Sequence, residues 1–200
     1  MFKRPLCVLL FCFIASPFCL AQEVEKHEEG GSVEKDGTAY LHFQRFGFGF
    51  ANLPHNAPCP VVFYHDGIGI ALDPGFCPAE DGKKPIREVS AYGSFNVANE
   101  FPSARASARA DCKGKALLTR YTLDHHPSTG CRIEEKDGTV RLFTRTFRNG
   151  NASDRSQWIE ITLQLQTTYE HWEEDLRAFE AYSKAFRIDQ DASSRNETVK

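Results

Sequence analysis

A chain of 200 residues with 27 acidic and 24 basic side chains carries a net charge of −3. That balance excludes a general nucleic-acid binder, which needs a basic footprint, and the length suits one domain rather than several. Sixteen phenylalanines supply apolar material for a full core.

Residues 1–21 read as a cleaved export signal. Lys3 and Arg4 form a positive start, residues 6–15 (LCVLLFCFIA) an apolar run of ten, and Pro17 a helix break. Cys19-Leu20-Ala21 then places small residues where a signal peptidase inspects the chain, so cleavage is expected before Gln22. The run is too short to span a bilayer, which takes about 20 apolar residues. A lipid anchor on Cys19 wants small residues just before it, which Ser16-Pro17-Phe18 does not offer. Loss of the leader leaves 179 residues with 22 basic and 27 acidic side chains, net −5. The expected product is a soluble, secreted or periplasmic protein, not membrane-spanning.

The leader also removes Cys7, Cys12 and Cys19, leaving Cys59, Cys77, Cys112 and Cys131. An even number in an oxidising compartment predicts two bridges, for which three connectivities exist. Cys59–Cys77 and Cys112–Cys131 are favoured because each closes a short local loop, stabilising by about 3 kcal/mol in the chain-entropy model. No Cys-x-x-Cys pair suggests a zinc cluster.

Residues 22–36, charged and glycine-bearing, read as a flexible lead-in, and the polar residues 189–200 as a disordered tail. Residues 37–188 form the expected globular domain. Residues 38–50 (TAYLHFQRFGFGF) predict one strand after the Asp36-Gly37 turn, with Phe46, Phe48 and Phe50 on one face. Residues 61–72 predict two short strands about an Asp66-Gly67 turn. Residues 86–97 read as a strand and the alanine-rich 102–110 as a short helix. Residues 131–147 predict a hairpin closed at Asp137-Gly138. The pentapeptide EKDGT occurs at 34–38 and again at 135–139 without matching flanks, which reads as repeated turn chemistry rather than a duplication.

The clearest strand is 158–166, where Ile159, Ile161, Leu163 and Leu165 alternate with polar residues. A helix is expected at once, with Thr167 as cap and Glu170 completing a capping box. Tyr169, Trp172, Leu176, Phe179, Tyr182 and Phe186 make its apolar stripe, while Glu173, Glu174, Asp175, Arg177 and Lys184 take the other side. The fold class is therefore α+β: an antiparallel β-sheet packed by a C-terminal α-helix.

Chemistry-bearing residues are sparse. Asp124-His125-His126, with His65 and Asp66, offers imidazole and carboxylate groups suited to a metal or to general base work. On a strand only Asp124 and His126 would share a face. No Gly-x-Ser-x-Gly elbow exists around Gly93-Ser94, no catalytic residue is assigned and no cofactor is implied. Arg105, Arg109 and Lys113 recur every four residues and would align on a helix as a contact for an anion or an acidic partner. Asn151-Ala152-Ser153 and Asn196-Glu197-Thr198 are glycosylation sequons, meaningful in a eukaryotic secretory path.

The closing string at 158–188, ending in FEAYSKAFR over 179–187, resembles the end of the PsbP/Mog1-like family: an apolar strand, a short turn and a helix. Alanine stands before Phe186 where serine is common. The resemblance implies an α/β sandwich and an accessory or binding role, and transfers no catalytic residue. Two functions follow as expectations. One is an exported non-enzymatic protein recognising another protein, an immunity-like role included. The other is a small metal-dependent or hydrolytic enzyme using His65, Asp66, Asp124 and His126.

Overall fold

The computed structural model describes residues 30–35, 38–51, 61–76, 84–95, 100–149 and 153–189. In chain order, β1 (Gly30–Lys35), β2 (Thr38–Phe43) and β3 (Phe48–Ala51) run as a meander. β4 (Val61–Tyr64), β5 (Gly67–Ala71) and β6 (Glu88–Phe95) form a second. Helix α1 (Ala104–Cys112) and a small hairpin of β7 (Thr122–Leu123) and β8 (His126–Pro127) follow. A long hairpin of β9 (Thr129–Glu134) and β10 (Thr139–Arg148) comes next. Finally β11 (Ile159–Thr168) passes through a 3-10 turn, Tyr169–His171, into α2 (Trp172–Ala185) and β12 (Phe186–Ile188).

These strands assemble a four-stranded sheet, order β1-β2-β3-β12, and a six-stranded sheet, order β4-β5-β6-β11-β10-β9. All their pairings are antiparallel. Strand β11 lies inside the larger sheet with strict alternation of burial, as its sequence dictates. Its Ile161, Leu163 and Leu165 join Val89, Ala91 and Leu142 on one face. Phe48 and Phe50 of the smaller sheet and Phe179 and Tyr182 of α2 pack into the same core. The chain is thus an α+β sandwich with a C-terminal helix on antiparallel sheet.

The opposite face of the large sheet is partly covered by α1. Ser103 caps that helix, its hydroxyl accepting from the Ala106 N–H, and Lys113 ends it in a left-handed conformation. Ala108 and Cys112 pack on Cys131 and Phe143, with the Cys112 and Cys131 sulfurs at disulfide distance, 2.12 Å. Below them Arg145 donates to Ser107 and Thr162 and pairs with Asp111 and Glu160. Cys59 and Cys77 lie outside the described residues.

Several local expectations are corrected. Residues 38–50 are two strands, not one, because the chain reverses over 44–47 with Gly47 at φ 64°. Phe46 in that turn is buried against β6, where a Cβ on Gly93 would stand 2.2 Å from its ring. Residues 30–35, read as lead-in, pair with β2 through an Asp36-Gly37 connection that lies outside the described residues. Thr167 is no helix cap: it is a buried β11 residue, and α2 begins at Trp172. Asp175 is buried among the apolar stripe instead of facing solvent, and Tyr169 is exposed. Asp189, assigned to the tail, donates its N–H to the Gly47 carbonyl and meets His42 through its carboxylate at 3.0 Å. Residues 190–200 lie outside the described residues.

Candidate functional site

The residues nominated from sequence fall on two separate turns. His65 and Asp66 link β4 to β5, where His65 Nε2 lies 3.2 Å from an Arg45 nitrogen and the Asp66 carbonyl accepts from Gly93. Asp124 and His125 form the β7–β8 turn, both left-handed at φ 46° and 68°. The Asp124 carboxylate accepts the Ile188 N–H at 2.9 Å, tying the turn to β12, while His126 is exposed on β8. Among the described residues no three His, Cys, Asp or Glu side chains gather as a metal site. Arg105 and Arg109 project from α1 into solvent, but Lys113 lies beyond its last turn, so the three cations do not form one helical stripe.

The fold brings other groups together. Around the β7–β8 turn a groove of about 490 Å³ is lined by Arg120, Asp124, His125, Glu180, Lys184 and Arg187. At the other end a groove of about 540 Å³ contains Ile86, Tyr169, Asp73, Asp137, Glu170 and His171. Ile86 is 67% exposed and Tyr169 63% exposed, the two most exposed large hydrophobics among the described residues, ahead of Phe95 at 45%. Neither is loosely held. The Asp73 carboxylate accepts the N–H groups of Ile86 and Arg87 at 2.8 and 3.0 Å, and Gln166 donates to the Ile86 carbonyl. The Arg132 guanidinium lies 5.5 Å from the Tyr169 ring centre and 4.1 Å from that of Trp172, and it pairs with Glu134 at 3.0 Å. Each such cation–π contact contributes about 0.5–1 kcal/mol at an exposed position. Beneath the groove Arg87 is locked to Asp175 by two hydrogen bonds of 2.8 and 2.5 Å.

A third polar feature lies on the large sheet. Glu88 is buried beneath Tyr64, whose hydroxyl donates to it at 2.5 Å, with the Tyr92 hydroxyl at 3.5 Å. Gly69 makes the room, since a Cβ there would stand 2.7 Å from the Glu88 carboxyl. Burial raises the Glu88 pKa above its ordinary value of 4.5, against the lowering effect of its hydrogen bonds from Tyr64 and Tyr92. Burial also pushes the Tyr92 phenol up to about 12. The folded state therefore holds the Glu88 proton more tightly than the unfolded chain does. Stability from this group is fully present below 4.5 and is lost as pH rises through the raised folded value. Glu88→Gln is expected to match the parent in urea melts at pH 4 and exceed it at pH 8. Equal pH dependence in the two proteins would refute a buried, proton-retaining Glu88.

Arg87, Asp175, Glu88, Arg132 and Arg120 were not singled out by sequence reasoning. Only Asp175 carried a usable signal, being three residues after Trp172 and four before Phe179.

No family model matches the chain, and no curated protein matches it. Among solved structures it is similar to cyanobacterial PsbP (CyanoP) of Synechocystis sp. PCC 6803, determined in solution. Identity is 14%, the match covers 80% of this chain and 96% of that one, and the TM-score is 0.38. No helix of the described residues is long and apolar enough to cross a membrane.

Proposed function

We infer that this is an exported, non-enzymatic binding or accessory protein, acting in the periplasm or outside the cell, that recognises another protein through the end of the sandwich carrying Ile86 and Tyr169. One observation carries the reading: two large side chains, Ile86 and Tyr169, are 67% and 63% exposed, the Ile86 backbone held by Asp73 and Gln166 and the Tyr169 ring met by Arg132. Exposing such surface is unfavourable unless a partner covers it, and holding it rigid lowers the entropic cost of binding. Tyrosine and arginine, paired here as Tyr169 and Arg132, are among the side chains that dominate binding energy at protein interfaces. The leader at 1–21 and the Cys112–Cys131 pair support export. The rival enzyme reading has less behind it, because among the described residues His65, Asp66, Asp124 and His126 do not gather as one group.

The test is site-specific photo-crosslinking from position 86 in the native compartment, with and without Tyr169→Ala. A discrete adduct is expected, weakened about tenfold or more by the substitution, as for an interface anchor, while the melting temperature stays unchanged. An adduct insensitive to Tyr169, or a protein recovered in the cytosol with residues 1–21 still attached, would contradict the proposal.

A further inference from the structure

The groove at the β7–β8 turn is built by two stretches far apart in sequence, 120–125 and 180–187. Arg120 precedes β7, His125 sits in the turn, Lys184 ends α2 and Arg187 lies on β12. Two carboxylates share the groove, and both have work already. Asp124 holds the Ile188 N–H, and Glu180 sits where its charge acts on Arg120. The C-terminal end of a helix is negative and by itself repels anions. Here Arg187 answers it, donating to the Lys184 and Phe186 carbonyls at 2.8 and 2.7 Å. Arg120 is likewise oriented, lying 4.9 Å from the Tyr121 ring centre and donating to its hydroxyl at 2.7 Å.

His125 is the informative residue. A two-residue hairpin turn with both residues left-handed is best made with glycine at the second position. This chain places an exposed histidine there, at φ 68°, on the rim of the cationic groove. A non-glycine residue kept in that conformation, where glycine would relieve it, points to a use for its side chain. We propose that Arg120, His125, Lys184 and Arg187 form a binding site for a small anionic group, a phosphate or a carboxylate, independent of the surface around Tyr169. All four side chains line one groove, and charge-assisted hydrogen bonds to phosphate or carboxylate oxygens are the strong contacts their remaining donors make.

Thermal melts of the purified protein with inorganic phosphate, with succinate, and with sodium chloride at matched ionic strength test the site. A saturable rise in melting temperature is expected with phosphate or succinate beyond that with chloride, and the stronger response identifies the ligand class. Lys184→Gln is expected to weaken the apparent affinity about tenfold, the loss of one charge-assisted contact. His125→Gly is expected to raise the melting temperature without anion while weakening the anion response severalfold. A response no larger than that to chloride would overturn the proposal, as would a response unchanged in both variants.

Discussion

Asp175→Ala is expected to lower the stability of the protein by about 3–5 kcal/mol, the usual cost of removing one partner from a buried ion pair. Asp175 is 1% exposed and accepts two hydrogen bonds from Arg87 and one, at 2.5 Å, from the Thr167 hydroxyl. Arg87 is itself buried, and a guanidinium is not deprotonated in proteins, so an unpaired charge is left behind when the carboxylate is removed. Glu174 is 3.5 Å away but largely in solvent, so it offers weak compensation. The triad joins three elements: the segment entering β6, the end of β11 and the first turns of α2. Its loss loosens the helix from the sheet. Asp175→Asn keeps an acceptor for Thr167 and is expected to cost less. The double change Arg87→Met with Asp175→Leu is expected to recover most of the loss, since apolar pairs of similar size commonly replace buried ion pairs without penalty. Urea denaturation measures all three variants, and a cost under about 1 kcal/mol for the alanine variant would show that the triad does not secure α2.

The second large effect is expected from the Cys112–Cys131 pair. The two residues are 19 apart in sequence, and opening a loop of that size costs about 3 kcal/mol in the chain-entropy model. The structural consequence is localised. Helix α1 meets the sheet through Ala108, Cys112, Cys131 and Phe143 and through the charges around Arg145. Reduction should therefore release residues 104–112 first, while β11, inside the six-stranded sheet, stays protected. Hydrogen exchange of the reduced protein should show fast exchange in α1 and slow exchange in β11. Uniform loss of protection along the chain, or none at all, would count against α1 as a separately tethered unit.

The strands whose side chains alternate were readable from sequence, because alternation follows directly from burying one face. β11 falls in this class, while the β9–β10 hairpin is marked by its Asp137-Gly138 turn. The repeated EKDGT is intelligible as turn chemistry. Its second copy spans a hairpin turn with Gly138 left-handed, and its first bridges β1 and β2. Errors arose where tertiary partners decide. Residues 30–35 are polar and become a strand because β2 offers its edge. Thr167 followed by Glu170 satisfies a local capping pattern, but Thr167 is spent on Asp175. Asp175 was assigned to solvent by its charge, although its spacing set it on the apolar stripe, because only the fold brings Arg87, 88 positions earlier, to meet it. For the grooves, Asp124 and His125 were visible as a cluster. Arg120, Lys184 and Arg187 were not, because nothing local announces that α2 and β12 close over β7.

The pairing of β12 with β3 has a consequence for the order in which the chain can mature. The last three strand residues, Phe186–Ile188, complete a sheet whose other strands lie before residue 52. A nascent chain must therefore carry Phe48 and Phe50 with an unfilled edge until residues 186–188 have emerged. Contacts of such long sequence separation also slow folding, since their loops close late. Completion of the smaller sheet thus waits for Phe186–Ile188, and a polypeptide stalled or clipped before Phe186 would present a sticky, unpaired strand to its neighbours.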